Sequence, residues 1–573
     1  MKRRSISRNC AAVLAVLVLL YTTCASGSSR GQLIEEVYYV CADGSDTNDG
    51  LTEETAFKTM YQALYGAVKN RKIKATIFVI GTLDNNSEGL RQAGNSLFNI
   101  NSGSAEITIR GKTDAGEGER AVLHNDTPNR RVVEIRNSSN VRFEYIEISG
   151  GNISGEDVET GAGGGIFVSG NGVLTVGTGT VITKNQATVG GGVVIANNGT
   201  FTMTNGEITK NEASAAGGGI VVGNESKFTM QGGVVSENKS KDDSGGGVMI
   251  IVKSTFILTD GEIIKNETLM DGGGIDIRSG SKFIMQGGVV SENKSSAGGG
   301  GVMVAEKSTF TMTNGTITKN EAMGGGGGVA VGNESEFTMQ GGMVSENKSS
   351  MSGGGVAINA KSTFTMTNGA ITKNEALMAA GGGIIIASGS EVTMQGGVVS
   401  ENKSSISGGG VVIIEKSTFT MINGTITKNE ALQGGGIIVG DESEFTMQEG
   451  VISENKSRMS GGGVLLINNS TFTMTNGTIT KNEALMAGGG VMVGDNSTFT
   501  MTNGTITKNE ALQGGGIAVV DNNSRFTIQG GAVSENRAST SGGGVWLSPY
   551  AGFNISDRSL ISNNYAPSYP DIY

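Results

Sequence analysis

Acidic residues with one arginine gather in two neighbouring repeats near the middle of the chain. Asp242 and Asp243 belong to one repeat, and Asp271, Asp276 and Arg278 belong to the next. Paired carboxylates can act as general acid and base when their environments push their pKa values apart. We predict a polar cluster here that is compatible with cleavage of a polysaccharide. Solvated acids in surface turns give the same pattern, and that is the alternative we favour.

A second mixed stretch precedes the regular repeats. Its polar residues are Glu117, Glu119, Arg120, His124, Asp126, Arg130 and Arg131. His124 is the single histidine of the chain, and histidine is the most common general base. A lone histidine is also an ordinary structural residue, which is the interpretation we favour.

The loop from Asp43 to Asp49 is a candidate calcium site. Asp43, Asp46 and Asp49 would supply carboxylate oxygens, the ligands that Ca²⁺ prefers. Their spacing is one residue short of the EF-hand pattern. We therefore assign no metal site and no cofactor from the sequence, and keep these three residues as candidates only.

The N-terminus has the pattern of a secretory signal. Basic residues from Lys2 to Arg8 precede the apolar run Ala11–Leu20 and a stretch of small residues. Two processing routes fit: cleavage after Ala25, or lipidation of Cys24. Both predict a secreted or cell-surface protein, and the second predicts an outer-membrane lipoprotein held only by its lipid anchor. We place the signal peptide at 1–25 and a linker at 26–36.

A glycine-marked repeat must position all of these candidates. The 573 residues include 94 glycines but only 4 prolines and one tryptophan, unlike a chain of ordinary globular domains. Glycine triplets recur every 26 to 28 residues. They begin at Gly163, Gly190, Gly217, Gly245, Gly272, Gly299, Gly326, Gly353, Gly381, Gly408, Gly434, Gly461, Gly488, Gly514 and Gly542. Each period offers three short β-favouring runs, the signature of one coil of a parallel β-solenoid.

Three features recur from coil to coil. Phe201 and Met203 share one face of a strand and recur in most coils, which predicts ladders that fill the core. Asn211 and its equivalents predict a ladder of stacked amides. Most coils alternate between Lys-Asn-Glu and Glu-Asn-Lys, so opposite charges should meet across each joint. The alternation breaks between Lys481 and Lys508, where we expect like charges to adjoin.

Two stretches carry a resemblance to known families. The opening Tyr38-Tyr39-Val40 with Asp43-Gly44-Ser45-Asp46 resembles bacterial proteins of the pectin-lyase-like β-helix superfamily. The pairing of Gly217–Ile220 with Ile208–Asn211 is similar to the motifs of chlamydial polymorphic outer-membrane proteins, which typically have Phe where this chain has Ile or Val. The resemblance implies a right-handed parallel β-helix with a surface or adhesin-like role. For the pectin-lyase-like enzymes it implies lyase or hydrolase chemistry on acidic polysaccharides.

We predict an all-β, right-handed parallel β-helix of about fifteen regular coils over residues 161–545. Irregular first coils with a capping helix after Phe57 occupy 37–160, and a C-terminal cap occupies 546–573. The helix should bury a face that includes Met60 and Tyr61.

The function we predict is non-catalytic and adhesin-like, because near-identical coils offer no unique catalytic constellation. The expected partner is a surface ligand, either a carbohydrate or a protein of a host or neighbouring cell. The formal net charge of −11 disfavours nucleic acid. One alternative is a polysaccharide lyase or hydrolase with its site near 117–145 or 242–278. Another is an ice-binding solenoid, suggested by rows of Thr200, Thr202 and Thr204 that Gln231 interrupts.

Overall fold

The chain winds into a parallel β-solenoid of about sixteen turns. The computed structural model describes residues 36–69, 74–88, 95–103, 105–112, 120–155 and 158–573. The predicted signal peptide, Cys24 and the linker up to residue 35 lie outside these described residues.

Each regular coil contributes four short strands. One coil has them at Val302–Val304, Thr309–Met312, Thr316–Thr318 and Glu321–Ala322. Every strand pairs in parallel with its equivalent in the next coil, so that four sheets run along the solenoid. The sequence predicted three strands. The fourth was missed because two residues are too few to show an alternating pattern.

Phenylalanine and methionine ladders fill the interior, as predicted. Phe310 stacks on Phe337 in register, and Met312 on Met339. Centroids of successive rings lie between 4.5 and 5.6 Å apart, which is the offset-stacked range. Val392 interrupts the aromatic ladder between Phe364 and Phe419 and is itself buried.

The predicted asparagine ladder is also confirmed. Asn320 is fully buried, and its Nδ2 donates to the carbonyl oxygen of Val290 at 2.9 Å and to Oδ1 of Asn347 at 2.9 Å. Its backbone N–H donates to the same Oδ1 at 3.0 Å. The amides therefore join each coil to the coils before and after it and satisfy polar groups inside the turn.

The glycine triplets lie where this ladder leaves no space for a side chain. A Cβ on Gly328 would stand 2.7 Å from the carbonyl oxygen of Gly355 and 2.9 Å from Nδ2 of Asn347. Gly326, the first of the same triplet, has a φ of +69°, in the left-handed region that favours glycine. Both steric reasons explain why the triplet marks each coil.

A second apolar row, which the sequence analysis missed, runs outside the core. The middle residues of many first strands form clusters apart from the main core, against the loop and the first glycine of the triplet in their own coil. Val221 and Met249 pack there with the loop residue Ala216, and Val412 and Ile438 form part of a similar cluster further along. Alternation alone would place these residues in solvent.

The first coils keep the same architecture. The helix Met60–Lys69 buries Met60, Ala63, Leu64 and Ala67 against the core, whereas Tyr61, predicted on that face, is 51% exposed. Two single-turn helices span Asn85–Glu88 and Val158–Gly161. The strands are Glu36–Cys41, Lys74–Ile80, Thr82–Leu83, Ser96–Ile100, Glu106–Gly111, Ala121–His124, Arg131–Ile135, Asn140–Glu144, Ile146–Ser149 and Asn152–Ile153.

The C-terminal segment 546–573 differs from the irregular cap that was predicted. Strands Val545–Leu547, Gly552–Ile555 and Ser559–Ser562 pair in parallel with the preceding coil, so the segment begins with one more coil. Asn564 accepts from Nδ2 of Asn536 at 3.0 Å and extends the asparagine ladder. The Trp and Tyr residues had suggested a cap because they break the composition of the repeat, but they leave its strand pattern intact.

Candidate functional site

The acidic residues of the two neighbouring repeats meet around Arg278. Its Nε donates to Oδ2 of Asp276 at 2.8 Å. Its Nη2 donates to Oδ2 of Asp271 at 3.0 Å and to Oγ of Ser244 at 2.9 Å. Glu306 Oε1 lies 3.9 Å from Nη1. The structure thus joins Asp271, Asp276 and Arg278 in one hydrogen-bonded cluster.

The two aspartates of the preceding coil stand at the border of this cluster. Asp243 is exposed, and its Oδ1 accepts from the backbone N–H of Ser244 at 2.8 Å. Asp242 is exposed in the same loop, and no contact among the described residues joins it to Arg278. The sequence therefore grouped five residues, of which three make the central contacts.

Asp276 replaces an apolar residue of the outer row. It pairs in register with Met249 and Met303 and is completely buried. Burial raises the pKa of Asp276 to about 7, while Arg278 acts in the opposite direction. A carboxyl that titrates near neutrality has the protonation range of a general acid. However, this carboxyl is enclosed under a loop and bound to Arg278, which is the geometry of a buried structural ion pair.

Two carboxylates of the candidate calcium loop accept hydrogen bonds from neighbouring residues of the chain. Asp46 Oδ1 accepts from the N–H of Thr59 at 2.9 Å. Asp49 Oδ1 accepts from Oγ1 of Thr55 at 2.6 Å, which lowers the pKa of Asp49, and Asp43 is exposed. Across the parts of the chain that the structure describes, no group of three His, Cys, Asp or Glu side chains is placed to hold a metal ion.

The polar stretch before the regular coils is spread over several elements. Glu117 and Glu119 lie outside the described residues, and Arg120 is exposed. His124 Nδ1 lies 3.2 Å from Oγ of Ser149. Arg131 is buried with its guanidinium 4.4 Å from the ring centroid of Phe167. These contacts place His124 and Arg131 within the packing of the first coils.

The threonines of the second strand form one long row. Thr311, Thr338 and Thr365 stack in register at its centre. The neighbouring row, which contains Thr309, alternates with charged residues such as Glu336. Only one row of threonines is therefore regular, so the face that an ice-binding surface would use is one residue wide.

A ladder of alternating charge lies along the fourth strands, and we call it the charge ladder. Its members are Glu212, Lys239, Glu267, Lys294, Glu321, Lys348, Glu375, Lys403, Glu430, Lys456 and Glu483. Lys294 Nζ lies 3.1 Å from Glu321 Oε2, and Lys348 Nζ lies 3.6 Å from Glu375 Oε2, as predicted for opposite charges across a joint. The alternation ends where Glu483 pairs in register with Glu510.

Beside the charge ladder runs a row of exposed large apolar side chains, which we call the apolar ridge. Its members are between 38 and 70% exposed, and all but one occupy the start of the loop after the fourth strand; Leu512 lies within the strand Glu510–Gln513. They are Leu269, Met270, Met323, Met351, Leu377, Met378, Ile406, Leu432, Leu485, Met486 and Leu512. Exposed apolar rows of this length mark interaction surfaces.

One position of the apolar ridge has the same two-coil period as the charge ladder. In the third position after the ladder asparagine, the Glu coils from Glu267 onward have Leu or Met, whereas three consecutive Lys coils have Ser296, Ser350 and Ser405. A depression of about 310 Å³ lies between Leu377 and Leu432, with Ser405 in its lining. This surface was not predicted from the sequence. Its signal was the contrast between Glu-Ala-Leu and Lys-Ser-Ser in successive repeats.

None of the helices within the described ranges is long and apolar enough to cross a membrane.

Comparison with known proteins agrees with the solenoid. The family model described as "Right handed beta helix region" matches residues 218–399, 354–533 and 399–568, which together exceed half of the chain. Among curated proteins, none matches the chain.

Proposed function

The chain belongs to the family of right-handed β-helix proteins, and from that premise we propose that it is a non-catalytic, adhesin-like protein of the cell surface or exterior. The observation that carries the proposal is the apolar ridge, which leaves Leu, Met and Ile side chains exposed at two adjacent positions in eight of the ten coils from Glu267 to Glu510. Burying such a row against a partner releases ordered water and is favourable in proportion to its area.

The chemistry of the ridge favours a protein partner. Protein interfaces are enriched in methionine at an apolar centre and charged at the rim. Met351 and Met378 supply such a centre, and the charge ladder borders it. The secretory pattern of residues 1–25 would bring the ridge outside the cell, and acylation of Cys24 would hold it at the membrane.

Binding of the fluorescently labelled chain to intact bacterial cells tests the proposal. We expect the wild-type chain to be retained and a Leu377→Asp, Leu432→Asp double variant to be lost from the cells. Ile422→Asp is the matched control, because Ile422 is 38% exposed but lies away from the ridge, directly after the second strand Thr418–Met421. Trypsin treatment of the cells should abolish retention if the partner is a protein. Failure of the wild-type chain to bind, or equal retention of the ridge variant, would contradict the proposal.

Polysaccharide cleavage is the second candidate function, and one observation favours it. The pKa of Asp276, raised to about 7, lies where a general acid of a glycoside hydrolase operates. Incubation with polygalacturonate and with alginate in the presence of Ca²⁺ tests it. We expect no product from the wild-type chain. Product that disappears in Asp276→Asn and Asp243→Ala would replace the adhesin-like proposal with an enzymatic one.

A further inference from the structure

We infer that the partner of the apolar ridge is a second copy of this chain, packed side by side and antiparallel about a two-fold axis. The inference rests on the proposed function only in taking the ridge to be a binding surface. It adds the identity of the partner, the orientation of the two copies and their register.

The charge ladder selects the antiparallel arrangement. A two-fold axis along the solenoid would set each coil against the same coil of the second copy, so that Glu would face Glu and Lys would face Lys. An axis perpendicular to the solenoid reverses the order of the coils. When that axis passes between two coils, every Glu coil faces a Lys coil, and opposite charges meet along the whole interface.

The ridge and the charge ladder together fix the register. Eleven coils alternate in charge from Glu212 to Glu483, but the contrast of serine with Leu or Met spans only the six coils from Lys294 to Glu430, and their midpoint lies between the coils of Lys348 and Glu375. An axis at this midpoint pairs opposite charges over ten coils and sets Lys294 against Glu430 of the second copy. Moving the axis by one coil towards the C-terminus would bring Glu267 against Glu510, because the alternation fails at Glu510.

The side chains of the ridge are also complementary under this two-fold axis. Over the six central coils, the axis that pairs Glu with Lys also pairs the Leu or Met at the third position after the ladder asparagine with a serine. Met323 of one copy faces Ser405 of the other, where the depression of about 310 Å³ lies. Met351 and Met378, which are 57% and 70% exposed, meet their counterparts at the axis itself. Steric and electrostatic complementarity are thus satisfied by one operation.

The ends of the strip have the character of an interface rim. Beyond the six central coils, Lys241 and Arg458 take the position that serine holds in the centre. Ten coils at about 4.8 Å per step give a strip about 43 Å long, and three to four extended residues give it a width of about 12 Å. Such a strip is near the lower limit for a specific complex, so we expect a dissociation constant of about 1–100 μM.

Sedimentation of the purified chain tests the steric half of the inference. We expect a monomer–dimer equilibrium in the micromolar range. Ser405→Phe fills the depression and should raise the dissociation constant about tenfold or more. The matched control is Ser539→Phe, because Ser539 occupies the equivalent position outside the alternating coils and should change dimerisation less than about twofold.

Charge reversal tests the orientation and register. Lys294 and Glu430 are five coils apart, about 24 Å within one chain, so they interact directly only between copies. Lys294→Glu should weaken the dimer about fivefold, and Glu430→Lys in the same chain should restore it to within about twofold of the wild type at low salt.

Each result has one meaning. A chain that stays monomeric at 200 μM, a Ser405→Phe variant that dimerises as well as the wild type, or two charge reversals whose losses add would each overturn the inference. If the wild-type chain is monomeric and the ridge variant still loses cell binding, the proposed function stands, but the partner is not a second copy of this chain. A dimer that binds no cells would confirm the inference and end the adhesin-like proposal.

Discussion

Removing one amide from the asparagine ladder should open the solenoid locally. Asn347 Nδ2 donates to the carbonyl oxygen of Ile317 at 3.0 Å and to Oδ1 of Asn374 at 3.0 Å. Its Oδ1 accepts from the N–H of Asn320 at 3.0 Å and from Nδ2 of Asn320 at 2.9 Å. Asn347→Ala removes these four bonds and leaves the buried N–H of Asn320 without an acceptor. At about 1 kcal/mol for each bond and about 2 kcal/mol for the orphaned donor, the loss is about 6 kcal/mol.

Hydrogen exchange followed by mass spectrometry is the appropriate assay, because coils of a solenoid contact only their neighbours and open locally. Peptides around residue 347 should lose protection, while peptides around Asn211 keep it. Asn314→Ala is the matched control, since Asn314 is exposed in the preceding coil. A loss of less than about 1 kcal/mol in Asn347→Ala, or an equal loss in the control, would refute the assignment of the ladder as a main source of cohesion.

Three other perturbations test separate parts of the structure. Burial raises the pKa of Asp276 in the folded state to about 7. The wild-type chain should therefore lose up to about 4 kcal/mol of local stability as the pH rises from about 4 to 7. Asp276→Asn should remove this pH dependence when hydrogen exchange is measured across the same range. Val252 has a φ of +53°, which a β-branched residue rarely adopts. Val252→Asn should therefore stabilise its coil by about 1 kcal/mol in the same assay, and Asn333→Val should destabilise its own coil by a similar amount. Deleting residues 488–513 removes the coil of Glu510 and with it the joint where two Glu adjoin, whereas deleting residues 326–352 removes the coil of Lys348 and creates a new joint of this kind. Relative to the wild type, only the second deletion should cost about 0.5 kcal/mol more stability at low salt than at about 0.5 M salt. Equal salt responses of the two deletion variants would contradict the role of the charge ladder.

The fold could be predicted from features that one coil displays by itself. The glycine period, the alternation of Phe201 with Thr202 and the recurring asparagine each define a strand or a turn locally, and stacking then follows because a single coil cannot bury its apolar face. The break at Tyr145, where a φ of +52° separates the strands Asn140–Glu144 and Ile146–Ser149, could not be predicted. Its conformation depends on contacts with the next coil, which local alternation does not encode.

The candidate sites were predicted less well for a related reason. The sequence placed Asp276 and Arg278 together correctly, but the alternation pattern would leave Asp276 in solvent. Asp276 is instead completely buried, and Gly272 of the adjoining loop lies against its Cβ. The apolar ridge is the opposite case, because its side chains are exposed and this exposure was not predicted. Leu377 and Met378 directly follow the fourth strand, which was itself not predicted, and only the path of the loop shows that they stay exposed.

A solenoid that alternates charge to avoid like-charge stacking becomes self-complementary as a consequence. Any ladder of strict alternation matches its own reverse when the axis falls between two coils, so charge alone would permit several registers. Two features reduce that number. The Leu and Ser alternation is in phase with the charge only over the central coils, and the adjacent Glu483 and Glu510 penalise a shift towards the C-terminus. The irregularities at Lys241, Arg458 and Glu510 thus have a physical role: a perfectly regular wall would associate in many registers and build open assemblies, whereas these residues favour one closed pair.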